Sequence, residues 1–263
     1  MMEPGTYRRG AGDVTWDGSV NARRIAGSVY RMGRREWLTE AGVRRVLDLR
    51  NPGENKARAL DPRVRPDALE GIRVVNLPLE DAGNERFAAV AVPYMNHPSM
   101  YRLVCEEFPH RLREVFTELA AGEGGVVLHC SAGRDRTGLV ASLLLALAGR
   151  GDEVLEQDAL ATRGINEWHR VSGYRHPHES HLPDGKLTPI LASRAAALKE
   201  FMRWVGDPQE FLLRLGLSEA TVQRLRQVVS QARRTPVLAA NRRRRPGHWR
   251  EASSGRACPP PGW

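Results

Sequence analysis

Along the chain, short β-branched runs alternate with stretches whose apolar residues recur every three or four positions. VRRVLDL at 43–49, IRVVNLPL at 72–79 and GVVLHC at 125–130 predict strands, and SVYR at 28–31 predicts a shorter one. PHRLREVFTELA sets Leu112, Val115, Phe116 and Leu119 on one helical face. Beyond Gly138, Leu139, Leu143 and Leu147 share a face with Val140 and Leu144 beside it, which predicts a helix buried on most sides. In LSEATVQRLRQVV, Ser218 is a candidate N-cap ahead of Val222, Leu225 and Val229. This order predicts βαβ units, and so an α/β fold with a central, mostly parallel sheet flanked by helices.

The pattern weakens at both ends, which divides the chain. At 263 residues with 41% hydrophobic content it can bury one substantial core. The expected domain is 21–232, with an N-terminal extension at 1–20 and a basic tail at 233–263. Residues 151–205 are the candidate for a helical lid or insertion over a site. Within them, VSGYRHPHESHLPDGKLTP at 171–189 carries prolines and glycines and predicts an excursion between helices. It holds His176, His178 and His181 near Glu179 and Asp184, but prolines interrupt the run and no second ligand pair follows at a familiar spacing. A solvated loop is the expectation, and no metal site is assigned.

The formal charge of +9 changes little once it is located. From Arg233 onward eight arginines face Glu251 alone, a net +7, so the rest of the chain carries +2 and no nucleic-acid face is indicated. The tail, NRRRRPGHWREASSGRACPPPGW, predicts a disordered, solvated terminus, with an electrostatic arm toward an anionic membrane surface as the alternative. Only three cysteines occur, Cys105, Cys130 and Cys258, which argues against a disulfide framework and for a reducing compartment. No apolar run approaches the roughly 18 residues of a membrane span, and the first residues lack a signal-peptide core. The expectation is a soluble cytoplasmic protein.

The chemistry concentrates at 126–145, VVLHCSAGRDRTGLVASLLL. A loop between a buried strand and a buried helix lies where open α/β sheets hold their ligands. Gly133 and Gly138 allow a tight turn, and the N–H groups of Ser131, Ala132, Gly133, Arg134, Asp135 and Arg136 can converge on one oxyanion. The positive end of the helix dipole adds to this cradle, and the planar fork of Arg136 suits two oxygens of a phosphate. Cys130 at the base would be favoured as thiolate by the same donors. It is set for in-line attack on phosphorus, giving a phosphocysteine that water hydrolyses, with Thr137 placed to hydrogen-bond the departing sulfur. Neither a metal nor a cofactor is needed for this chemistry.

HCSAGRDRTG resembles the H-C-x5-R-[ST]-G signature of the cysteine-dependent tyrosine phosphatase superfamily, with His129, Cys130, Gly133, Arg136, Thr137 and Gly138 in register. From about Asn21 to Val229 the chain is similar to the bacterial tyrosine-protein phosphatases whose members also attack phosphoserine, phosphothreonine and phosphoinositides. GSVYRMGRREWLTEAGVRRVLDLRNPGE, NLPLED and FLLRLGLSEATVQRLR carry that similarity. It departs at Asn21, which ARRI follows in place of the family's Phe-Arg-Asp-Leu. The resemblance implies Cys130 as nucleophile, Arg136 as phosphate binder and Thr137 as helper to the leaving thiolate. It implies phosphotyrosine proteins or phosphoinositides as partners, with Arg134 beside Asp135 as in broad-specificity members.

A phosphotyrosine leaving group needs a proton, and two acids are candidates. Asp81 ends the NLPLED strand at the mouth where strand C-termini converge, and the resemblance implies an acid there; Asp135, inside the cradle, ranks second. Glu80 should point to the opposite side from Asp81. Asp48, Arg50 and Glu54 are expected to organise the loop after a strand, His129 to pack and hydrogen-bond backbone around the cradle, and Cys105 to lie in the core. Cys130 is also the thiol expected to oxidise to a sulfenic acid. The competing functions are a non-catalytic phosphate-binding module and a sulfurtransferase, whose loop cysteines lack the Arg-Thr-Gly ending.

Overall fold

The computed structural model of the protein describes residues 20–33, 43–54, 70–91, 94–172, 176 and 178–230. The chain opens with strands β1 (Val20–Ala26), β2 (Val29–Gly33), β3 (Val43–Asp48) and β4 (Arg73–Asn76). Helices α1 (Glu85–Val90), α2 (Tyr101–Glu107) and α3 (Pro109–Ala121) lead to β5 (Gly125–Cys130). Five helices follow: α4 (Asp135–Leu147), α5 (Glu153–Val171), α6 (Asp184–Val205), α7 (Pro208–Arg214) and α8 (Glu219–Ser230). The sheet runs β1-β2-β5-β3-β4, antiparallel between β1 and β2 and parallel elsewhere, as the α/β reading predicts.

Central position explains the composition of β5. Paired on both edges and covered on both faces, all six of its residues are buried, so an unbroken apolar run rather than an alternating one is what this place in the sheet requires. Val126 and Leu128 join the main core, with Leu112, Val115, Phe116 and Leu119 of α3. Val127 packs on the other face with Ala22, Met32, Val43 and Val46. Helix α4 is apolar nearly all round because it sits between the sheet and its neighbouring helices, and Leu139, Leu143 and Leu144 have no exposed surface. At α8, Ser218 Oγ accepts from Thr221 N at 3.2 Å, the expected cap.

Strand β1 was not foreseen, because Arg23 and Arg24 interrupt any apolar alternation. Arg23 is nonetheless buried, donating Nε to Gln157 Oε1 (2.7 Å) and Nη2 to Gln157 O (2.8 Å), which ties β1 to α5. The excursion predicted for 171–189 is shorter than expected: α6 begins at Asp184 and carries Pro189 within its early turns. Within the segment 151–205, a second buried arginine joins α5 and α6 to each other, to the start of α4 and to the loop before α2. Arg194 donates Nε and Nη2 to Asp158 (2.8 and 2.7 Å), Nη1 to Asn96 O (2.8 Å), and pairs with Asp135 Oδ1 at 2.9 Å. The N-terminal extension before residue 20 and the basic tail, with Cys258, lie outside the described residues. No described helix is long and apolar enough to cross a membrane.

Removing Arg194 would leave the buried Asp158 without its arginine and Asp135 with Arg134 alone, and breaking such a buried pair typically costs about 3–5 kcal/mol. Arg194→Met is therefore expected to lower Tm by about 10 °C in calorimetry, whereas a change under about 2 °C would show that the Arg194 cluster does not hold α6 in place.

Candidate active site

The loop after β5 is shaped from behind. Gly133 has φ +64°, and a methyl group there would lie 2.4 Å from Gly33 N and 2.5 Å from Met32 C; a methyl at Gly33 would in turn meet the Ala132 carbonyl carbon at 2.6 Å. Two glycines thus let the loop press its backbone onto the end of β2. Asn21 Nδ2 donates to Ala132 O at 2.8 Å, and Arg31 Nη2 donates to Gly133 O at 2.7 Å and to Arg134 O at 3.3 Å. In a trans peptide the N–H points opposite to the C=O, so holding these three carbonyls turns the N–H groups of Gly133, Arg134 and Asp135 the other way. Cys130, Ser131, Ala132, Arg134, Asp135 and Arg136 all line the cavity on that side, which encloses about 690 Å³.

Asn21 and Arg31 escaped the sequence reading. Asn21 sits at φ +60°, a left-handed conformation that asparagine tolerates better than most residues, and its amide also reaches Ala161 O at 3.0 Å. Arg31 is fully buried on β2, which an arginine in a strand does not advertise. Burial lowers its pKa from the ordinary 12.5, opposed by the charges of Tyr101, Asp158, Cys130 and Asp135.

Arg136 meets Glu54 end-on, Nη1 to Oε1 at 2.5 Å and Nη2 to Oε2 at 2.7 Å. A guanidinium has five N–H donors, so three remain for a phosphate. Glu54, expected only to organise its own loop, therefore orients the arginine of the cradle. Burial raises the Glu54 pKa, but the bond and charge of Arg136 outweigh it and hold the carboxyl below its ordinary range. Behind it, Asp48 is buried, accepts both Nε (2.9 Å) and Nη2 (2.8 Å) of Arg50, and lies 3.2 Å from His129 Nε2. His129 Nδ1 lies 3.2 Å from Cys130 O, which fits the packing role expected of it.

The acids are arranged differently from expectation. Glu80 and Asp81 do point apart, but it is Glu80 that faces the cavity with Cys130. Asp81 is exposed, accepting from Gly83 N (2.9 Å) and Arg111 Nη2 (3.1 Å), and does not line that cavity. Alternation says that neighbours diverge; only the sheet's packing says which one turns inward. Asp135 is in the cradle, its Oδ2 2.9 Å from Arg134 Nε and its Oδ1 2.9 Å from Arg194 Nη2. Burial would raise its pKa, yet the charges of Arg134 and Arg194 hold it below the ordinary 3.8. Glu80 is the reverse case, 4% exposed and pushed up to about 7 by burial, with Arg136 opposing and Glu54 and Asp135 adding to the rise. Thr137 is fully buried, and its Oγ1 has no hydrogen-bond partner among the described residues.

The described part of the histidine loop is solvated as expected, with His178 and His181 exposed, and it also forms a wall of the cavity. His176 and His178 line it, with Tyr94 edge-on to both rings. Glu179 accepts from Tyr94 OH (2.9 Å) and from Arg134 Nη2 (3.0 Å), while His181 sits 3.3 Å from Asn166 O. Among the described residues no group of three or more His, Cys, Asp or Glu side chains could hold a metal ion. Cys105 is buried, as expected.

A model of the tyrosine phosphatase family matches residues 22–230. A tyrosine-protein phosphatase from Nostoc commune is 26% identical over 211 residues, 75% of this chain and 70% of that protein. The triple specificity protein phosphatase PtpB of Mycobacterium tuberculosis is 33% identical over 144 residues, covering 47% of this chain and 52% of PtpB. Among solved structures, that of P. aeruginosa TpbA aligns with TM-score 0.32 at 17% identity, over 78% of this chain and 96% of that one.

The raised pKa of Glu80 has a definite sign for stability. Between its ordinary 4.5 and about 7 the folded protein keeps a proton that the unfolded chain has released, so stability falls as pH rises through that window. Glu80→Gln is expected to match the wild-type Tm near pH 4.5 and exceed it by roughly 5–10 °C near pH 8. A pH-independent difference would contradict the assignment.

Proposed function

Because the chain belongs to the tyrosine phosphatase family, we propose that it hydrolyses phosphotyrosine through a phosphocysteine on Cys130. The observation that carries this reading is the shared cavity: Cys130 lines the same space as Arg136, beside a loop whose backbone donors are turned by Asn21 and Arg31. The phosphate dianion would be held by those N–H groups, the free edge of the Arg136 guanidinium and the dipole of α4. These donors are fixed before substrate arrives, so they follow charge onto the transferred group without reorganisation. Thr137, with a buried hydroxyl that has no other described partner, would stabilise the sulfur as it leaves in the second step. No step in this scheme draws on a metal or cofactor, and the free thiol it needs suits a reducing cytoplasm.

Protein phosphotyrosine ranks ahead of inositol phosphates because of Arg134. A cation free to meet a second phosphate would favour inositol lipids, but Arg134 is committed to Asp135 and Glu179. The triple specificity of PtpB keeps phosphoserine, phosphothreonine and phosphoinositides among the substrates to be measured.

With EDTA present, phosphate release from a phosphotyrosine peptide is expected to exceed release from phosphoserine peptides and phosphoinositides, and to vanish in Cys130→Ser. Release that persists in Cys130→Ser would overturn the mechanism. Phosphate binding without turnover would leave a recognition module, and thiosulfate sulfurtransferase activity would place the chain in the other chemistry.

A further inference from the structure

Among the described acids that line the cavity, Glu80 is set apart by a buried carboxyl oxygen that neither a hydrogen bond nor an ion pair engages; Asp135 Oδ1, also buried without a hydrogen bond, is ion-paired with Arg194. Glu80 Oε1 lies 3.6 Å from Arg136 Nη1, and its Oε2 is buried with no hydrogen-bond partner among the described residues. The chain brings Glu80 there by a parallel continuation of β4: Leu77 N donates to Asp48 O at 2.8 Å and Leu79 N to Leu49 O at 3.4 Å, so the next residue emerges beside the turn that carries Glu54. Arg111 of α3 fixes the backbone from outside, Nη1 donating to Glu80 O at 3.1 Å. Asp135 has both oxygens paired with arginines and is held ionised. Asp81 faces away.

We propose that Glu80 is the acid that protonates the leaving oxygen, and the base that deprotonates water in the second step. The proposal rests on the phosphocysteine reading of Cys130. In the first step the Cys130 thiolate forms the S–P bond as the P–O ester bond breaks. The electron pair stays on the leaving oxygen, which takes the Glu80 proton and departs as a phenol. In the second, water adds to phosphorus and gives a proton to the Glu80 carboxylate, and the S–P electron pair returns to sulfur. Both residues are restored, and the net reaction is ester plus water to phenol plus phosphate.

The electrostatic surroundings serve that exchange. From α4, Arg136 favours the carboxylate and Asp135 the acid; from the turn after β3, Glu54 favours the acid, with Arg50 behind it at 3.5 Å from Glu54 O. From α3, Arg111 is paired with Asp81, and from β5 Cys130 brings the thiolate that opens the reaction. Desolvation is the largest influence and brings the pKa to about 7, so that near neutral pH both the acid and its carboxylate are populated, as a group that gives and takes a proton requires.

The test is kcat/KM against pH for phenyl phosphate, whose leaving group needs a proton, and for 4-nitrophenyl phosphate, whose leaving group scarcely does. Glu80→Gln is expected to lose about 100-fold or more on phenyl phosphate, under about ten-fold on the nitrophenyl ester, and the basic limb of the profile. Glu54→Gln removes a charge that favours the protonated acid, so its basic limb is expected to move to lower pH. Equal losses on both esters, or a basic limb that Glu80→Gln and Glu54→Gln leave in place while Asp135→Asn moves it, would overturn the assignment of Glu80. A wild type inactive on both esters would instead overturn the phosphatase reading on which it rests.

Discussion

Everything at this site depends on carbonyl groups being held from behind. A loop of six residues has as many acceptors as donors, and left alone it has no reason to present one set to a ligand. Asn21 and Arg31, reaching from β1 and β2, take the carbonyls of Ala132, Gly133 and Arg134, and the planarity of the peptide does the rest. Each of these bonds is worth only about 1–3 kcal/mol, but leaving a buried carbonyl unpaired costs a comparable amount, so alternatives with a carbonyl turned inward are disfavoured twice. The missing side chains of Gly33 and Gly133 then allow the close approach that puts Arg31 within reach.

Around that loop the protein sorts its carboxylates by what they pair with. Glu54, Asp48 and Asp135 each meet one or more arginines at hydrogen-bonding distance and stay ionised despite burial. Glu80 stands 3.6 Å from the same Arg136 that Glu54 grips, and the guanidinium's charge is already compensated there. With burial favouring the neutral form throughout, a hydrogen bond to arginine at 2.9 Å or less fixes an anion, whereas 3.6 Å leaves an acid that can exchange its proton. The structural arginines and the proton-transfer group belong to one network, and α5 and α6 enter it through Arg194 and Asp158.

The strands β3 and β5, the helical face of α3 and the cap of α8 were legible because each is written in local apolar spacing. The register from His129 to Gly138 was legible because a strand, a turn and a buried helix start must follow one another there. What the sequence concealed is what long-range packing creates. Arg23, Arg31 and Arg194 look like surface charges, yet each is buried by partners far along the chain. Asn21 was noticed only for the residues that follow it, whereas its amide holds the cradle. Glu80 and Asp81 were expected to diverge and do, but alternation carries no information about which side the core lies on, so it could not say that Glu80 is the one that lines the cavity. The histidines at 176 and 178 were expected in a solvated loop, and His178 is exposed; that both also line the cavity, beside a Glu179 bonded to Arg134, is set by contacts far apart in the chain.

The most direct test of the cradle is a crystal structure of the protein with orthovanadate. The account predicts vanadium over Cys130 Sγ, oxygens accepting from the N–H groups of the 131–136 loop and from Arg136, and the carbonyls of Ala132 and Gly133 still bonded to Asn21 and Arg31. An oxyanion bound elsewhere, or a loop with either carbonyl turned toward the cavity, would contradict it.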